Sequence, residues 1–338
     1  MTRFRLFAAV LLLGASCAAS ARAEEVNVYT TREPGLFAPL AAAFTARTGV
    51  KVNSVFVKDG LAERVAAEGA ASPADLLMTV DIGNLIDLVD KGVTKPMPAE
   101  LLEKTVPANL RAADNAWTAL SLRARLVWAE KGLPLAGLTY EDLADPKWKG
   151  KICVRSGQHP YNTALLAAMI AHAGQARAEE WARGLKANLA RKPGGGDRDV
   201  ARDILGGLCQ LGLGNSYYVG LMRSGKGGPE QKAWGDGVQV VLPTFAGGGV
   251  HVNATGVALA KGAPNEAAAR KLVEYLLSPE GQKLYAEQNF EYPVSKAAAV
   301  DPTIGALGEL KPDTISLVDI ARNRKAASLI FDKVGFDR

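Results

Sequence analysis

The sequence predicts an α/β protein of two lobes with a ligand cleft between them, and three observations lead there. Strand and helix patterns alternate from Val26 to Lys91, the order of a mostly parallel sheet covered by helices. An extended stretch from Trp117 to Trp128 then carries the chain out of that sheet and into a second α/β cycle. A second extended stretch, alternating at Val250, Val252 and Ala254, can return it. Ligands of open α/β sheets bind beyond the carboxyl ends of the strands, so crossing segments of this kind place a binding cleft between the lobes.

In order, Val26-Asn27-Val28-Tyr29 alternates as a strand, followed by the loop Thr30 to Gly35 and an apolar helical face from Leu36 to Phe44. Val50 to Val57 is a second strand, Leu61 to Glu68 a helix, and Ala74 to Val80 a buried strand. Asn84 to Lys91 is a helix ended by Gly92, and a polar, Pro-punctuated stretch runs from Lys95 to Pro107. The second cycle has strand-like Lys151 to Val154, an apolar helix over Tyr161 to Ala173 and an amphipathic one over Glu179 to Ala190. Pro193 to Gly196 is a loop, Asp199 to Leu205 a short helix, and Leu211 to Gly214 a buried strand ending at Asn215. Val238 to Leu242 is a further strand, and the helix Ala267 to Leu277 is stopped by Ser278-Pro279. The predicted lobes are 24–118 with 247–295, and 119–246 with 296–338, after a leader of 1–23.

Length and composition agree. The 338 residues, 48% hydrophobic and 22% charged, suffice for two cores and exclude disorder as the overall state. The formal charge of +5 falls to +2 once Arg3, Arg5 and Arg22 are removed with the leader, so no nucleic-acid footprint remains. That leader has Arg3 and Arg5 before the apolar run Leu6 to Leu13 and ends in Ala21-Arg22-Ala23, a small-x-small cleavage signal for secretion. The run is too short for a membrane span, which takes roughly 20 residues. Cys17 offers a rival reading as a lipidated cysteine, with Gly14 standing where lipoprotein signals carry Leu.

The mature chain keeps Cys153 and Cys209, an even pair for an oxidising compartment. A disulfide is the economical reading and two buried thiols the other; the spacing fits no zinc site. Nucleotide and hydrolase motifs are missing too, with no G-x-x-x-x-G-K-[ST], no G-x-G-x-x-G after the first strand and no G-x-S-x-G. His159, His172 and His251 have no nucleophile near them in sequence, and no enzyme is expected.

Gly214-Asn215-Ser216-Tyr217-Tyr218 puts adjacent tyrosines just past a strand end. Strand neighbours point to opposite faces, so both face one ligand only if the backbone turns there, which Gly214-Asn215 permits; an ordinary aromatic pair is the bland alternative. Arg155 to Asn162 likewise follows a strand and enters a helix, whose first N–H groups can receive an anion. Tyr161 would then share a rim with Tyr217 and Tyr218. Converging phenols suit a hard trivalent cation, on which a phenol of ordinary pKa near 10 can lose its proton.

On Val28 to Arg32, Ser72 to Asp81, Arg155-Ser156-Gly157 with Tyr161-Asn162, and Gly214 to Tyr218, the chain resembles the ferric-ion-binding periplasmic proteins of iron ABC transporters. The resemblance covers nearly all of the mature chain, and the double tyrosine is its most specific part. It implies a type II periplasmic binding fold, lobes closing on one Fe³⁺, a periplasmic location and delivery to an inner-membrane permease. Tyr161, Tyr217 and Tyr218 fall on family ligand positions. Family members often carry His, or His-Tyr, where this chain has Glu33-Pro34; Glu33 is either a hard carboxylate ligand or a solvated loop residue. Arg32 balances phenolate charge or holds a carbonate-like anion, or else is a surface arginine paired with a carboxylate. Ser156, Gly157 and Asn215 match a region where some members hold a synergistic anion. Arg123 and Asp81 rank lower at the cleft rim, and His159 is read as a packed or solvated side chain. A carrier that docks on a permease has no need to self-associate, so a monomer is expected. The alternative is a receptor of the same fold for a small organic or phosphorus-containing anion, using Arg32, Arg155 and the Ser156 helix N-terminus.

Overall fold

The computed structural model describes residues 24–295 and 297–338; the predicted leader, with Cys17, lies outside the described residues. The chain begins with β1 (Glu25–Thr30), α1 (Pro34–Thr48), β2 (Lys51–Phe56), α2 (Leu61–Glu68), β3 (Leu76–Thr79), α3 (Ile82–Asp90), β4 (Thr94–Lys95) and α4 (Ala99–Leu102). β5 (Thr118–Glu130), β6 (Ile152–Cys153), α5 (Pro160–Ala187), α6 (Asp197–Leu205), β7 (Leu211–Asn215), α7 (Ser216–Arg223), α8 (Pro229–Gly237) and β8 (Val238–Val241) follow. β9 (Val252–Ala260), α9 (Glu266–Leu277), α10 (Pro279–Asn289), β10 (Tyr292–Pro293), α11 (Pro302–Gly305) and α12 (Leu317–Val334) complete it. Among the described residues no helix is long and apolar enough to cross a membrane.

Local chemistry explains the first unit. Pro34 opens α1 at a position where its missing N–H costs nothing, Phe37, Leu40 and Phe44 line the buried face, and left-handed Gly49 closes the helix onto Thr45 O. β1 lies between β2 and β3, parallel to both, with Val26 and Val28 buried. The sheet order is β2-β1-β3-β9-β5-β7-β6.

β5 makes the protein two-lobed. Its residues Thr118 to Ala124 pair antiparallel with β9, whereas Arg125 to Ala129 pair with β7 and Val127 to Glu130 with β8. One strand therefore serves both sheets and changes partner between Ala124 and Arg125. Every β5 residue except Glu130 is buried, because helices or loops cover both faces. The predicted exit through Trp117 to Trp128 and return through Val250 to Ala254 correspond to β5 and β9.

Some elements depart from expectation. The two helices expected over Tyr161 to Ala190 are present within α5, which Gly174, with φ of 80° and ψ of 164° outside the helical region, breaks into two helical segments. Ser278-Pro279 stops α9 and also starts α10: Pro279 occupies the first turn, and Ser278 Oγ accepts the Gly281 N–H. The strand β7 passes directly into α7, so both tyrosines stand in a first helical turn instead of on a bend. α12 has no counterpart among the elements expected from sequence; it packs on α5 and also reaches α3, where Arg324 pairs with Asp87 at 2.8 Å.

Cys153 and Cys209 form a disulfide with a Cα separation of 5.8 Å, closing a sequence gap of 56 residues between β6 and the approach to β7. Loop closure of that length limits the unfolded chain. Replacing both cysteines with alanine is expected to lower stability by about 3 kcal/mol. Equilibrium urea unfolding measures this, and an unchanged midpoint in the variant would contradict it.

Candidate metal centre

A cleft of about 360 Å³ opens where β5 changes partner, lined by Thr31, Arg32 and Glu33 on one side and Tyr161, Tyr217 and Tyr218 on the other. Arg123, Arg198 and Glu291 also face it. A larger, mostly apolar hollow of about 730 Å³ includes Leu122 and Tyr292. Leu122 precedes Arg123 in β5, so strand alternation turns the two side chains to opposite faces.

Tyr161 stands in the first turn of α5 because His159 caps that helix, its Nδ1 accepting the Tyr161 N–H at 3.3 Å, and Pro160 fits the first helical position. Tyr217 and Tyr218 stand in the first turn of α7, directly after Asn215. The approach needs glycine: a Cβ at Gly214 would collide with the Trp128 indole. The elements bring the Tyr161 and Tyr217 hydroxyls to 3.0 Å, and the Tyr217 and Tyr218 ring centroids lie 4.1 Å apart.

Cations surround these rings. Arg155, Arg123 and Arg125 lie 5.2, 5.9 and 5.9 Å from the Tyr161 centroid, and Arg198 lies 5.6 Å from that of Tyr218. Burial, reinforced by the neighbouring phenols, pushes the Tyr217 hydroxyl well above its ordinary pKa while Arg123 opposes the shift. Burial and Tyr161 also raise Tyr218. Both hydroxyls are therefore protonated at neutral pH in the unloaded site.

Arg32, 3% exposed, bonds Glu291 and Thr255, each at 2.7 Å. Glu291 also accepts from Ser121 and, at 3.1 Å, from Thr255. Burial alone would raise the Glu291 pKa, but Arg32 and Arg123 outweigh it and hold the carboxylate below the usual range. Arg123 is buried, and its Nε and Nη2 make no hydrogen bond within the described chain. Glu33 is exposed at the cleft mouth and makes no capping bond to α1.

Other residues from the sequence reading lie elsewhere. Ser156 Oγ and the Gly157 N–H donate to the Asp337 carboxylate at 2.7 and 2.8 Å, so the chain's own acid occupies the anion seat expected there. Neither residue lines the cleft. Asn215 is committed to Arg125 and Asp197. Asp81 caps α3 and accepts from Asn253 at 2.6 Å, and His159 caps α5, so both hold the fold together. The sequence reading missed Glu291, Arg198 and the Arg125–Asp197 pair. Arg123 and Arg125, two apart in a mostly apolar strand, were the available signal for that pair. Among the described residues no group of three or more His, Cys, Asp or Glu is placed to hold a metal ion.

Two lobes sharing crossing strands around a polar cleft define a solute receptor. The chain belongs to the bacterial extracellular solute-binding protein family, whose profile matches residues 71–309. It is 39% identical over 316 residues to iron uptake protein A1 of Synechocystis sp., covering 93% of this chain and 88% of that one. Among solved structures, a Bordetella ferric binding protein is similar at a TM-score of 0.89 and 59% identity, covering 93% and 100% of the two chains. A Trichodesmium protein solved with iron and citrate ligands is similar at a TM-score of 0.87 and 39% identity, covering 92% and 99%. The expected family and two-lobed fold are borne out.

Proposed function

We propose that the protein is a periplasmic, non-enzymatic carrier that binds one Fe³⁺ through Tyr161, Tyr217 and Tyr218 and delivers it to an inner-membrane ABC permease. The observation carrying this reading is the 3.0 Å approach of the Tyr161 and Tyr217 hydroxyls beside Tyr218, beneath a group of guanidiniums. Phenolate oxygens are hard, anionic donors, and three of them balance the charge of a ferric ion. The relatives' ferric and iron-uptake names support the same cargo.

The lobe bearing the tyrosines, 119–246 with 296–338, takes the ion first. Closure of the other lobe, 24–118 with 247–295, then brings Glu33 to it as a further oxygen donor. Arg123, whose buried donors lack partners, and Arg32 beside it supply a place for a carbonate- or citrate-like anion that completes the shell. A single chain suffices for this work.

Titrating the metal-free protein with ferric nitrilotriacetate tests the reading: a visible ferric-phenolate band saturating at one iron per chain is expected. A colourless protein that instead binds phosphate or an organic anion would replace this function with that of an anion receptor. Because Tyr217 and Tyr218 are protonated before loading, binding releases a proton from each. Iron affinity should therefore fall at least about 100-fold per pH unit on acidification below neutrality. Affinities measured by competition at several pH values check this, and a flat profile would exclude phenolate binding.

A further inference from the structure

The phenols stand on two separate helices, and one buried ion pair grips a residue close to each group. We propose that Arg125, fixed by Asp197, is the positioning residue of the centre, holding the first turns of α5 and α7 in the register that makes the hydroxyls converge. This rests on the reading of Tyr161, Tyr217 and Tyr218 as iron donors.

Arg125 lies on β5 at the change of strand partner. Its Nη1 donates to Asp197 Oδ2 at 2.6 Å and to Asn215 Oδ1 at 3.0 Å, and its Nη2 donates to Asn162 Oδ1 at 2.6 Å. Asn162 follows Tyr161 directly, and Asn215 immediately precedes the helix that starts with Ser216-Tyr217-Tyr218. Asp197 Oδ2 also accepts the Asn215 N–H at 2.9 Å, while Oδ1 faces Arg155 at 3.3 Å. Asn162 Nδ2 returns bonds to Arg155 O and Ser156 O at 3.0 and 3.1 Å. A planar, rigid fork is therefore fixed by one carboxylate and spans the start of both tyrosine-bearing helices.

Arg125 and Asp197 are 2% and 0% exposed at the side chain. Burying such a pair contributes little to stability relative to apolar packing, so a positional role accounts for its retention better than a stabilising one. The order it imposes on the empty site lowers the cost of organising the donors when metal arrives.

Asn162→Ala cuts the grip on α5 without removing charge, and Arg125→Lys keeps the charge but cannot span both asparagines. Each is expected to weaken binding of ferric nitrilotriacetate iron by about 10- to 100-fold, the range for residues that orient metal donors. A double-mutant cycle with Tyr161→Phe separates positioning from general destabilisation: once the hydroxyl is gone, Asn162→Ala should cost almost nothing further. Additive losses, or parental affinity in Asn162→Ala, would overturn the inference. Should Asn162→Ala fail to fold, Arg125→Lys takes its place in the cycle: its loss should shrink but not vanish in the Tyr161→Phe background, because Asn215 and α7 are still released, and an undiminished loss would overturn the inference. If Tyr161→Phe alone leaves iron binding unchanged, the functional reading itself fails and the positioning role falls with it.

Discussion

Tyr217→Phe is expected to lower ferric affinity on the order of 1,000-fold, more than the loss of any residue that merely orients a donor. Tyr217 is central to the cluster: its hydroxyl meets that of Tyr161 at 3.0 Å and its ring packs 4.1 Å from Tyr218. Phenylalanine keeps the ring and its packing but removes the one atom able to carry anionic charge to the metal. The fold should barely change, because the abandoned Tyr161 hydroxyl lines the cleft and can turn to water; a neutral hydrogen bond of this kind contributes about 1 kcal/mol. Competition against a ferric chelator reads the affinity, and the melting temperature reads the fold. Parental affinity in this variant would remove Tyr217 from the centre, whereas a large fall in melting temperature would make it a packing residue. Tyr218→Phe should follow the same pattern.

The site was legible in sequence to the extent that its chemistry is local. Tyr217 and Tyr218 directly follow the end of β7, and Tyr161 opens the helix after β6, so a strand-end reading placed them at one rim without knowledge of the three-dimensional path. What escaped depends on contacts across long sequence separations. Asp337 reaches the Ser156–Gly157 turn from the far end of the chain, and no pattern near Ser156 announces that its donors are already taken. Glu291 meets Arg32 in the same way, across the crossing strands. The fold shows a similar division. Strand and helix alternation gave most elements, but proline has opposite meanings at the two ends of a helix. Pro279, read as a stop, is also a start, because Ser278 supplies the cap that the preceding helix does not need. α12 carries Arg322, Arg324 and Lys325 in mid-helix, and its apolar residues become a recognisable face only once α5 is in place beneath them.

Glu291→Gln should be the most destabilising single change at the cleft, costing toward the upper end of about 3–5 kcal/mol, because it leaves buried positive charge without a counter-ion. The carboxylate is 2% exposed and answers Arg32 directly, while Arg123 feels its field, so one substitution uncovers two guanidiniums. The amide oxygen can go on accepting from Arg32 while its NH2 turns to the Ser121 and Thr255 hydroxyls, which then accept instead of donate, so lost charge is the main change. The dependence on pH follows from the direction of the shift. A carboxylate whose folded pKa lies below its unfolded value, about 4.3 for glutamate, contributes stability that is fully present above the unfolded value and lost as pH falls through the folded one. The parental protein should therefore weaken in acid while the variant, which has no proton to take up there, changes less, and the gap between their urea midpoints should narrow from pH 7 toward pH 3. A gap that stays constant over that range would show that Glu291 acts through shape and not through charge. Anion binding gives an independent reading of the same electrostatics: with the carboxylate neutralised, Arg32 and Arg123 face the cleft unbalanced, so the folded variant should hold phosphate more tightly than the parent does.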